Sequence, residues 1–134
     1  RDAKRLMYRH FTEHAEKYLR SLGSADGLAD QLRHMLTDLM ACGEANADSV
    51  CRRLRVSRRT LQRRLKAEKT SFQKVLNEVR ADLAVRYLSD KRLKSFEVAM
   101  LLGYSNLSSF TTAFKSWYDM PPAAYRQKLW GARS

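Results

Sequence analysis

No apolar run in this chain approaches the length of a membrane span, and no signal peptide is visible. Cysteine is scarce: Cys42 and Cys51 are the only two in 134 residues. They are too few and too oddly spaced for a zinc finger or a disulfide framework, and two free thiols suit a reducing cytoplasm. Convincing strand alternation is absent throughout. So are a Ser/His/Asp set, a phosphate loop and a paired-carboxylate arrangement, so nothing here points to an enzyme or a cofactor. Acidic residues are also in short supply, 14 against 26 Lys and Arg, which leaves a net charge of +12 and a pI near 10.2. A charge of that size draws a chain toward nucleic acid, anionic lipid or acidic proteins, and says nothing of fold. A hydrophobic fraction of 44% supplies an ordinary core. The start at Arg1 rather than Met suggests a fragment or a processed form.

What is present is helical periodicity, and the expected fold class is all-α. Met7, Phe11, His14, Tyr18 and Leu22 recur at three- and four-residue steps, which predicts an amphipathic helix over residues 3–20. "SLGSADG" (21–27) is the one clear linker. Leu28, Leu32, Met35, Leu36, Leu39 and Met40 line a second helix, stopped by Gly43. Short helices follow over about 48–54 and 57–68, the latter with Ser57 as N-cap. Thr70 and Gln73 have capping-box spacing and open a long helix with an apolar stripe of Phe72, Val75, Leu76, Val79, Leu83 and Tyr87. Helices over about 95–102 and 106–118 come next, and Pro122 begins a last one.

The chain also contains a repeat. At an offset of 48, Val50 falls on Val98, Cys51 on Ala99 and Leu54 on Leu102. With one extra residue in the second turn, Leu61 matches Phe110, Leu65 matches Phe114 and Lys66 matches Lys115. Each copy reads as a short helix, a tight turn and a longer helix, the pattern of a helix-turn-helix. In the first copy Leu61 and Leu65 point one way, while Arg59, Gln62, Arg63 and Lys66 form a stripe on the other. From Arg52 to Lys66 there are eight Lys or Arg and no acidic residue, so internal ion pairs do not account for the charge. Guanidinium groups suit this role because they grip phosphate and the guanine edge bidentately.

"SRRTLQRRLKAEKTSFQKVLNEVR" (57–80) and "GYSNLSSFTTAFKSWYDMPPAAYR" (103–126) resemble, in order and spacing, the signature blocks of AraC/XylS-type bacterial transcription regulators. The resemblance covers about residues 28–128. It implies a DNA-binding domain of two helix-turn-helix subdomains (47–67 and 95–118) joined by a long connecting helix (71–88). Such domains place their two recognition helices in successive major grooves of one duplex. The implied base-reading residues are Arg59, Gln62 and Arg63 in the first motif and Leu107, Ser108, Thr111 and Thr112 in the second. Arg58, Arg64, Lys66 and Lys115 fall where phosphates are held. Physically, Arg59 and Arg63 suit guanine and Gln62 suits adenine, although any arginine of such a stripe can equally touch only phosphate. The implied partners are a double-stranded DNA operator, RNA polymerase, and a small-molecule effector acting through an N-terminal ligand-binding domain. Residues 1–22 resemble the helix that ends such a domain.

Three departures stand out. The second recognition helix carries short hydroxyl residues where relatives often have Arg, Gln or His. Leu107 falls on the buried side of the helical wheel. Arg55 stands where the family usually has Gly, at a cost of about 1 kcal/mol if its backbone is left-handed. Other patterns compete with this reading. "HFTEH" (10–14) fits a zinc-peptidase pattern, though an exposed helix face explains it as well and no third ligand is apparent. Phe110, Phe114, Trp117 and Tyr125 could form a stacking platform for single strands, but the helical spacing of the first three predicts core. From another class, charge alone would also suit a non-specific binder of RNA or anionic membrane.

Overall fold

The structure is a computed structural model describing residues 27–131. Among these residues it contains seven helices and no strand: α1 (Leu28–Ala41), α2 (Ala47–Leu54), α3 (Arg58–Ala67), α4 (Phe72–Leu88), α5 (Ser95–Leu101), α6 (Leu107–Tyr118) and α7 (Pro122–Trp130). The helix expected near the N-terminus, most of the 21–27 linker and the "HFTEH" residues lie outside the described residues. No helix of the described part is long and apolar enough to cross a membrane. The chain divides into two compact units, with the boundary between Val79 and Arg80 inside α4.

In the first unit α1 packs on α2 and α3, and α2 packs on α3. The expected stripe of α1 is its buried face: Leu32, Met35, Leu36, Leu39 and Met40. Val50 and Cys51 of α2, Leu61 and Leu65 of α3, and Val75, Leu76 and Val79 of α4 are buried with it. A fully buried side chain of this size contributes about 1.5–3 kcal/mol, so this face dominates the stability of the unit. The N-terminus of α1 has no cap of its own, because Gly27 brings no side chain. The Glu68 carboxylate takes that role from just beyond α3, accepting from the Leu28 N–H at 2.9 Å and the Ala29 N–H at 3.0 Å. A Cβ at position 27 would sit 2.9 Å from Glu68 Oε1, so a larger residue there would have to push this carboxylate aside.

The capping expected at Thr70 is displaced by one residue. Ser71 Oγ accepts from the Lys74 N–H at 3.2 Å and starts α4. Thr70 is committed elsewhere: Lys69 turns left-handed (φ 62°) and the Thr70 N–H donates to Leu65 O at 3.0 Å. That contact closes the end of α3, so Thr70 belongs to the preceding helix.

One polar group of this unit is poorly placed. Asp38 Oδ1 is buried and accepts no hydrogen bond. Burial pushes the carboxyl up from 3.8 to about 6, against the opposing pull of His34 and Arg53. The folded state therefore holds this proton more tightly than the unfolded chain, and the group favours folding less as pH rises from about 4 through 6. Asp38→Asn is expected to be more stable than the parent at pH 7 by about 1 kcal/mol, after allowance for partial exposure. Its advantage should disappear near pH 4; melting temperatures of both proteins across this range check it.

In the second unit α5 packs on α6 and α6 on α7. Leu83, Ala84, Tyr87 and Leu88 of α4 are buried, with Leu93, Val98, Ala99, Leu102, Phe110 and Phe114. The Phe114 ring lies 5.8 Å from Phe110, 4.8 Å from Tyr118 and 5.6 Å from Tyr125, an aromatic cluster with tilted and edge-on geometry. Phe110 and Phe114 are wholly buried and Trp117 and Tyr125 half-buried, so these rings are core rather than a stacking platform. Arg126 donates to Leu88 O at 3.1 Å and Asp90 O at 3.0 Å, occupying carbonyls at the end of α4. Tyr118 Oη donates to Ala81 O at 2.8 Å.

Candidate nucleic-acid interface

The repeat read from apolar spacing extends to the hydrogen bonds. In the first copy the Arg55 N–H donates to Arg52 O and the Val56 N–H to Cys51 O. The second copy repeats both at the same offset, Gly103 N–H to Met100 O and Tyr104 N–H to Ala99 O. Both turns pass through a left-handed residue, Arg55 (φ 58°) and Gly103 (φ 89°). Glycine adopts that backbone freely, whereas Arg55 bears a strain of about 1 kcal/mol for doing so. Each recognition helix then opens on a side-chain cap: Ser57 Oγ accepts from Thr60 N–H at 3.1 Å, and Asn106 Oδ1 from Ser109 N–H at 2.7 Å. Asn106 is thus a cap, one residue before the helix it was expected to begin. The added residue, Ser105, falls between turn and cap. Two helix-turn-helix motifs, α2–α3 and α5–α6, are therefore built alike down to their backbone donors.

On α3 the predicted stripe is realised. Leu61 and Leu65 are buried against the first unit, and Arg59, Gln62, Arg63 and Lys66 are exposed. These four side chains, with Arg58, line an open groove of about 700 Å³ whose other wall is formed by Thr70, Ser71, Phe72 and Gln73. Three or four cations converging on one groove, without a carboxylate among its lining residues, make a place where an anion gains from several charges at once. Arg58 differs from the others, since its guanidinium pairs with Asp48 at 2.9 Å. Both partners are about two-thirds exposed, so the pair itself contributes little to stability. Arg64 is exposed but does not line the groove.

On α6 the outward residues are Ser108, Thr112 and Lys115, all exposed, with Thr111 half-buried. Leu107, which its wheel position puts on the buried side, is not covered. It is 40% exposed. Its direction on the wheel is inward, but as the first residue of α6 it precedes the turn that would cover it. Sequence reading also passed over Tyr104, whose ring lies 4.6 Å beneath the Arg80 guanidinium while Arg80 Nε donates to Leu102 O at 3.0 Å. That pairing joins α4 to the turn of the second motif, and no local spacing in the sequence could have announced it.

The helix-turn-helix domain family matches residues 50–128, which takes in the second motif and all but the first few residues of the first. Among curated proteins, the ornithine utilization regulator of Pseudomonas aeruginosa is 34% identical over 116 residues, 86% of this chain and 34% of that protein. The transcriptional regulator VirS of Mycobacterium tuberculosis is 34% identical over 114 residues, 84% of this chain and 34% of its own length. The chain thus spans about a third of the curated relatives it matches. Among solved structures, the transcriptional regulator CdpR of Pseudomonas aeruginosa aligns with a TM-score of 0.59 at 35% identity, covering 80% of this chain and 37% of that one. A DNA-binding transcriptional dual regulator of Escherichia coli aligns at 0.62 with 24% identity, covering 72% and 96%, a likeness of fold. With its paired motifs, its cationic first reader and a family match running through both, this chain belongs to the AraC/XylS-type helix-turn-helix family.

Proposed function

We propose that this chain is the sequence-specific, double-stranded DNA-binding part of a bacterial transcription regulator, working in the cytoplasm without enzymatic activity. The observation that carries the reading is the pair of like-built motifs, the first presenting Arg59, Gln62 and Arg63 on one exposed face. A non-specific binder of RNA or anionic lipid would need the charge but not two matched readers. Each recognition helix enters a major groove of the same duplex, α3 contributing most of the affinity and discrimination. Arg59 and Arg63 bond guanine edges and Gln62 an adenine; Ser108, Thr111 and Thr112 contact the second groove. Arg58, Arg64, Lys66 and Lys115 hold phosphates and fix the register. Arg58 does so at the expense of its pairing with Asp48.

Relatives named as regulators, among them a urease operon transcriptional activator of Escherichia coli, support a role in transcription. On that reading the further partners are RNA polymerase and a small-molecule effector, the latter acting through a ligand-binding domain upstream. Selecting bound sequences from a random duplex pool tests the proposal directly. A recovered consensus in two parts, spaced about one helical turn apart, is the expected result. Arg63→Ala should then weaken binding to that consensus by about 1–3 kcal/mol and relax preference at one position. Equal weakening on all duplexes would reassign Arg63 to phosphate.

A further inference from the structure

The two motifs match in backbone but differ at one pair of positions. In the first, Asp48 and Arg58 lie one on each helix of the motif and form an ion pair at 2.9 Å. At the offsets of the repeat their counterparts are Phe96 and Leu107. Both are apolar and both are exposed, Phe96 at 55% and Leu107 at 40%. Met100, one turn beyond Phe96, is 38% exposed and stands where the first motif has Arg52. These three are the exposed large hydrophobic residues among those described, and all of them belong to the second motif. An edge that is ionic in one reader has become apolar in the other.

This edge adjoins the reading face of α6. That face has hydroxyl side chains at Ser108, Thr111 and Thr112 and no cation before Lys115, so no guanidinium is available for a guanine edge. In the major groove the one apolar feature a base pair offers is the C5-methyl group of thymine. Leu107, in the first turn of α6, occupies the part of a recognition helix that meets base edges. Resting on the DNA reading proposed above, we infer that the second motif selects thymine through apolar contact of Leu107 with the C5-methyl group. Phe96 extends the same apolar edge and keeps water from it. The first motif, with charged side chains in that place, has no such preference. The operator is therefore chemically uneven: one half is read by guanidinium and amide groups, the other by methyl contact.

Replacing single thymines of the selected consensus by deoxyuridine removes one methyl group at a time and leaves every hydrogen-bonding group intact. The half-site belonging to the first motif is identified as the one whose preference Arg63→Ala relaxes. In the other half, at least one such replacement should weaken binding about fourfold, the effect of one methyl group leaving water. Leu107→Ala should bind thymine and deoxyuridine duplexes equally, whereas Leu107→Met should keep the difference. Helicity measured by circular dichroism shows whether each variant is folded; should Leu107→Ala lose it, Leu107→Gln takes its place. A second half-site without thymine, insensitivity to every deoxyuridine, or discrimination that survives loss of Leu107 overturns the inference while leaving sequence-specific binding intact. Failure to recover any consensus overturns the DNA reading itself, a different result.

Discussion

Leu76→Asp is expected to lower the unfolding free energy by about 4 kcal/mol, because it places an unpaired carboxylate in the core of the first unit. Leu76 is 5% exposed and lies between Val75 and Val79, which are buried to a similar degree. A charge at this depth must stay buried in an apolar setting or open the packing to reach water. For a domain of this size the melting temperature should fall by about 20 °C. Leu76→Asn separates charge from shape: it keeps the size and polarity of the new group and should cost less. An unchanged melting temperature would mean that this part of α4 does not bear on the core.

Affinity for DNA is expected to drop on the order of a thousandfold between 50 and 200 mM monovalent salt, if about six phosphates are neutralised. The first motif holds eight Lys and Arg from Arg52 to Lys66, and the groove gathers Arg58, Arg59, Arg63 and Lys66 along one side. Each phosphate contact releases condensed counterions, which makes the logarithm of affinity linear in the logarithm of salt, with a slope of about −5. Lys66→Ala should reduce that slope by about one while leaving the preferred sequence unchanged. Titrations at four salt concentrations suffice, and a flat plot would rule out phosphate engagement by this surface.

Much of this architecture was legible in the sequence because it is written in short-range patterns. The apolar stripe of α1, the Ser57 cap and the proline that opens α7 depend on neighbours within a turn or two. So does the repeat, whose offset of 48 and added residue hold down to individual backbone bonds. What was misread involved competition between adjacent elements. Thr70 has the spacing of a cap for α4, but the end of α3 claims its N–H first. Leu107 points inward on an ideal wheel, yet a wheel knows nothing of helix ends. Contacts between residues far apart in sequence left no trace at all: Arg126 beneath the end of α4, Arg80 over Tyr104, and Glu68 against the start of α1. The exposed cationic face of α3 was visible because eight positive charges without a negative one are hard to explain otherwise; the outward residues of α6 were singled out through the family resemblance.

The link between Glu68 and α1 carries a mechanical consequence. Two charge-assisted bonds, of 2.9 and 3.0 Å, fasten the start of α1 to the segment that leaves α3. A tug or a twist delivered at residue 27 therefore meets a clasp instead of a slack tether. The strain it sets up arrives one residue beyond the helix bearing Arg59, Gln62 and Arg63.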